Sequence, residues 1–78
     1  AMRRLEDAEL RERYGLTERQ AAVARLMAEG CTNAELAGRL GLSFYTARNH
    51  AEQVMLKLGV GNRASVGPLL QEAVAGPA

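Results

Sequence analysis

A chain of 78 residues, 47% hydrophobic and 24% charged with a formal net charge of +1, has the composition of one small globular domain and not of a disordered tail or a two-domain protein. One cysteine and one histidine exclude an internal disulfide framework and a multi-cysteine zinc site, so no metal or cofactor is expected and the default compartment is the reducing cytoplasm. No apolar run approaches the roughly 18 residues that a membrane span needs, and the N-terminus lacks the apolar stretch of a signal peptide.

Ala1-Met2 reads as a cloning remnant ahead of a native start, as in a domain excised from a longer protein, although a short complete protein fits too. The pattern along the chain is helical, with no alternation of period two and no Asn-Gly or Asp-Gly hairpin signal. The expected fold is all-α. Residues 3–14 are expected to form a charged lead-in helix ended by Gly15, so that residues 1–15 are a lead-in, 16–75 the domain and 76–78 a frayed tail. Thr17 with Gln20 forms a capping box that opens a helix over 17–29, whose Val23, Leu26 and Met27 make a buried stripe. A second box, Thr32 with Glu35, opens a short helix over 33–40, with Cys31 and Leu36 placed as a hydrophobic staple.

Gly41 ends that helix, and Ser43 caps the next one at once. Helices joined by so tight a turn must cross steeply, and Ala37 and Gly41 supply the small groups that a close crossing needs. This is the spacing of a helix-turn-helix, whose second helix enters a DNA major groove. That helix is expected over 44–58. At about 100° per residue, Ala47, Ala51, Val54 and Leu58 share a core face, with Phe44 and Met55 beside them. Tyr45, Arg48, Asn49, Glu52, Gln53 and Leu56 collect on the opposite face. Positive charge gathers here too: Cys31 to Arg63 carries Arg39, Arg48, Lys57 and Arg63 against Glu35 and Glu52. Beyond it Asn62 is a cap, and Val66, Leu69, Leu70 and Val74 follow helical spacing, with a helix start or a kink at Pro68.

The stretches 16–20 (LTERQ), 30–37 (GCTNAELA), 42–43 (LS), 46–50 (TARNH) and 57–63 (KLGVGNR), in this order, resemble the LuxR-type DNA-binding domain of bacterial transcription regulators, including response regulators. The resemblance covers residues 16–70. It implies a four-helix domain that binds double-stranded DNA, usually as a homodimer through its last helix, behind an upstream receiver or ligand-sensing domain in full-length relatives. By the family's recognition-helix motif, Thr46 contacts phosphate, Arg48 and Asn49 face bases, and His50 lies at the core edge pointing towards the DNA backbone. Gln20 stands where glutamate is usual and Ala47 where valine is usual. Glu52 and Leu56 replace basic or polar residues, and Pro68 interrupts the dimer helix.

Each candidate carries a plainer reading beside the functional one. Arg48 donates to guanine or pairs in solvent with Glu52 at i+4; Glu52 restrains Arg48 or accepts from a cytosine amino group. Tyr45 touches DNA or covers its own helix, whereas Phe44 packs in the core. Gln53 lies farther along the DNA side. Lys57 and Arg63 reach the DNA backbone or face solvent. Thr32 and Asn33 bond phosphate from a helix N-terminus, or Thr32 only caps. Cys31 is the staple residue. Val66, Leu69, Leu70 and Val74 serve core or dimer interface. No constellation supports catalysis. The competing functions are a sigma-factor promoter-reading domain and a protein-interaction module that keeps the fold without DNA binding.

Overall fold

The computed structural model describes residues 2–73, built from β1 (Met2–Arg4), α1 (Asp7–Tyr14), α2 (Glu18–Ala28), α3 (Asn33–Leu40), α4 (Phe44–Leu58), a 3-10 turn (Arg63–Ser65), α5 (Val66–Leu69) and β2 (Gln71–Ala73). The helices dominate, as the sequence pattern requires, and the local signals account for their ends. Thr17 Oγ1 accepts from Gln20 N at 3.1 Å while Gln20 Oε1 accepts from Thr17 N at 3.1 Å. The Thr32–Glu35 box closes in the same way, at 3.2 and 2.9 Å. Each satisfies two backbone donors that helix geometry would leave orphaned. The Glu35 carboxyl is held below its ordinary range, chiefly by the Thr32 backbone N–H and then by the Thr32 hydroxyl. Cys31 and Leu36 are both buried in one cluster, as a staple demands.

The core is a single cluster in which α2, α3 and α4 contribute Val23, Ala24, Met27, Leu36, Ala47, Ala51, Val54 and Leu58. The α4 residues follow one another at three- and four-residue steps, so a single stripe of the helix is buried and the opposite stripe is left outside. Phe44 departs from the expected packing, at 55% exposed. It is the first residue of α4, and burial along the helix begins only at Ala47. Its phase points to the core side but its axial position precedes the packed layer.

The chain ends also differ from the sequence reading. The lead-in helix does not run from residue 3: Met2–Arg4 form β1, which pairs antiparallel with β2 in the register Met2↔Ala73, Arg3↔Glu72 and Arg4↔Gln71. Leu5 N continues the ladder to Leu70 O at 2.8 Å. Arg3 also makes a two-pronged pair with Glu9 at 2.8 Å on both oxygens. That pair, with the Glu6 N–H, lowers the Glu9 carboxyl from 4.5 to about 2. Arg25 on α2 donates to Leu5 O and, at 2.6 Å, to Asp7 Oδ1. Leu5 and Leu10 thereby join the core at 1% and 0% exposure.

The last helix is short. Asn62 caps as expected, its Oδ1 accepting from Ser65 N at 3.0 Å, but the helix begins at Val66, ahead of Pro68. Pro68 stands third in α5, where the missing N–H has no intrahelical carbonyl to lose. Val66 and Leu70 are fully buried in the chain's own core, and Leu69 packs partly against it. Val74 and residues 76–78 lie outside the described residues.

Candidate nucleic-acid interface

The turn between α3 and α4 sets the site. Gly41 has φ 65 and ψ 37, a left-handed residue that closes α3, and Leu42 N returns to Ala37 O at 2.9 Å. A Cβ built on Gly41 would meet no atom within 4 Å. Glycine is therefore required by the dihedral angle and not, as the spacing suggested, by close helix approach. On the far side of the turn Ser43 Oγ accepts from Thr46 N at 3.1 Å and donates to Thr46 Oγ1 at 2.9 Å. Since Thr46 Oγ1 already accepts from Ser43, its own O–H remains a donor for an outside acceptor. The first turn of α4 holds no acid, so the positive end of the helix dipole is not offset there.

From this end α4 presents Tyr45, Arg48, Glu52 and Gln53 exposed, with Thr46, Asn49 and His50 half-buried at the flanks. The Arg48 guanidinium carbon lies 5.3 Å from the Tyr45 ring centroid, a cation–π distance. Its Nε is 3.9 Å from Glu52 Oε1. The helix thus brings together Tyr45, Thr46, Arg48, Asn49, His50, Glu52 and Gln53. Leu56 extends the exposed face at 73% exposure.

Other sequence candidates are engaged elsewhere. Lys57 Nζ donates to Gly15 O at 3.0 Å and to Gln20 Oε1 at 2.7 Å, tying the end of α4 to the α1–α2 junction and not to the reading surface. Arg63 donates to Cys31 O through Nη2 at 2.9 Å and Nε at 3.3 Å. At the start of α3 the anion position is filled from within, because Thr32 is bonded twice to Glu35 and that carboxylate carries the negative charge the helix end favours. Asn33 Oδ1 is buried there without a hydrogen-bond partner.

One cation near the turn escaped the sequence reading. Arg19, exposed in the first turn of α2, donates through Nη1 to Leu40 O at 3.4 Å, one residue before Gly41. Its partner is 21 positions away, and no local pattern announces such a contact.

A capped, tightly turned helix pair with a polar, exposed face on the second helix defines the class: a helix-turn-helix domain. The model of bacterial regulatory proteins of the luxR family matches residues 14–67, and the chain belongs to that family. No curated protein and no solved structure matches the chain. At the level of the family, membership implies DNA binding in transcription regulation, with DNA as partner; it is a family of regulators and not of enzymes. Among the described residues no helix is long and apolar enough to cross a membrane.

Proposed function

We propose that the domain binds double-stranded DNA sequence-specifically in the cytoplasm, with the first turns of α4 in the major groove. The observation that carries this reading is the outward face of α4: a serine-capped, acid-free first turn, followed by Arg48 and Asn49 on a helix whose other side is locked into the core. Arg48 supplies paired donors to a guanine edge and Asn49 a donor and an acceptor to a neighbouring base. Thr46 offers its remaining O–H to phosphate, and Tyr45, His50 and Gln53 flank the contact. Glu52 lies within the same surface. Thr32, Asn33 and Lys57 stand apart from this face: Thr32 and Asn33 open α3, and Lys57 is bonded to Gly15 O and Gln20 Oε1.

Titration of the domain against duplex fragments over a range of salt concentrations tests the reading. We expect a preferred fragment, and a loss of roughly 5- to 150-fold in its affinity on Arg48→Ala, the equivalent of about 1–3 kcal/mol for a good bidentate contact, with the helical circular dichroism unchanged. Binding of Arg48→Ala as tight as the parent would refute base reading by α4. Absence of binding to any fragment would instead favour the protein-interaction reading, which the exposed Leu56 supports.

The burial within one chain of two residues expected at a dimer interface bears on how two copies would pair. Of the residues proposed for it, Val66 and Leu70 are internal and Leu69 is half-buried. We infer that the free domain is a single chain and that any pairing is imposed by the spacing of half-sites on DNA or by a receiver or ligand-sensing domain joined ahead of it.

A further inference from the structure

The centre of the DNA-reading face is occupied by an acid. At about 100° per residue, Tyr45, Glu52 and Leu56 fall within about 20° of one line along α4, with Arg48 and Asn49 displaced to either side. Glu52 is the only acidic residue of the helix. A carboxylate in this place opposes every phosphate that approaches it. Its gain must come from something else that the groove presents.

Restraint of Arg48 is one candidate, and the geometry makes it a weak one. The Arg48 Nε to Glu52 Oε1 distance is 3.9 Å, with the two side chains 48% and 63% exposed, so the contact is Coulombic attraction across a gap and not a hydrogen bond. The Tyr45 ring already borders the guanidinium at 5.3 Å. The carboxylate oxygens therefore keep their capacity to accept.

We propose that Glu52 is a specificity-determining residue which selects, one or two base-pair steps from the guanine read by Arg48, a base that presents an exocyclic amino group, cytosine before adenine. The proposal rests on the DNA-reading role of α4 given above. Residues four apart on a helix are separated by about 6 Å along its axis, which is close to two base-pair steps of about 3.4 Å. An ionised carboxylate only accepts, and the major groove offers it amino donors at cytosine N4 and adenine N6 but acceptors at guanine O6 and N7 and at thymine O4. Adenine places N7 next to its amino group, and that lone pair repels the second carboxylate oxygen; cytosine carries no such acceptor. Arg48 and Glu52 together form a donor head and an acceptor head of opposite charge. The pair matches a guanine followed closely by a cytosine, and its near-zero net charge holds down binding to unrelated DNA, which depends on phosphate neutralisation.

Selection of bound duplexes from a random pool, run in parallel with the parent domain, Glu52→Ala, Glu52→Gln and Arg48→Ala, tests this. The parent should enrich a guanine and a nearby cytosine. Glu52→Ala should keep the guanine and lose a cytosine preference of roughly tenfold. Glu52→Gln should move that position towards adenine, which glutamine can engage at N6 and N7, and should bind an unrelated duplex several-fold tighter than the parent. Arg48→Ala should lose the guanine and keep the cytosine. Identical selected sites for the parent and Glu52→Ala would overturn the proposal while leaving base reading by Arg48 intact. So would a Glu52→Ala site in which the guanine blurs and no neighbouring position changes, since that is the result of lost restraint. A parent that enriches no sequence overturns the DNA-reading role itself.

Discussion

Arg48 and Lys57 are both cations on one helix, and only their partners tell them apart. Phase along α4 made the outward placement of Arg48 and the burial of Ala47 legible in the sequence, because period and burial are the same information there. It could not reveal that Lys57 reaches Gly15 O and Gln20 Oε1, since those partners lie 42 and 37 positions away. Lys57→Met should therefore lower the free energy of unfolding in urea by about 1 kcal/mol, the typical worth of such hydrogen bonds. The slope of DNA affinity against salt should stay that of the parent. A variant of unchanged stability whose salt slope is shallower by about one would return Lys57 to the phosphate backbone.

At the scale of elements, the signals that act within four residues of each other were legible, and they fixed the ends of α2, α3 and α4. Capping boxes, the serine cap and the left-handed glycines all operate across one turn, and the residues involved are adjacent in the chain. Two kinds of element were hidden. Strands of three residues such as β1 and β2 are too short to show a period. Burial of Val66 and Leu70 depends on what packs over α5, which helical spacing alone does not specify. Gly41 illustrates a right assignment for a partly wrong reason: its site is open, and the constraint is φ 65. Asparagine and valine are of similar size, but asparagine tolerates the left-handed region and a β-branched residue does not. Gly41→Val should lower unfolding free energy by about 1–2 kcal/mol and Gly41→Asn by clearly less, measured by chemical denaturation. Equal losses in the two variants would show that space, not backbone angle, limits the turn.

At the scale of the whole molecule, the domain is closed by its own ends. The family match begins at residue 14, yet Leu5 and Leu10 lie ahead of it and fill the core. β1 pairs with β2, and Arg25 holds the segment between β1 and α1 against α2. The same arrangement limits the last helix to Val66–Leu69, because the chain leaves it to enter β2. Of the apolar row that the sequence left between core and dimer interface, Val66 and Leu70 are buried by the chain itself. Sedimentation equilibrium of the free domain should give the mass of one chain, and Leu69→Glu, which changes a half-buried member of that row, should leave the mass unaltered. Two chains per duplex should appear only when the DNA carries two half-sites about one helical turn apart. A dimeric mass without DNA that falls to one chain in Leu69→Glu would place the interface on the last helix after all, and would require β2 or α5 to move away from the positions they hold here.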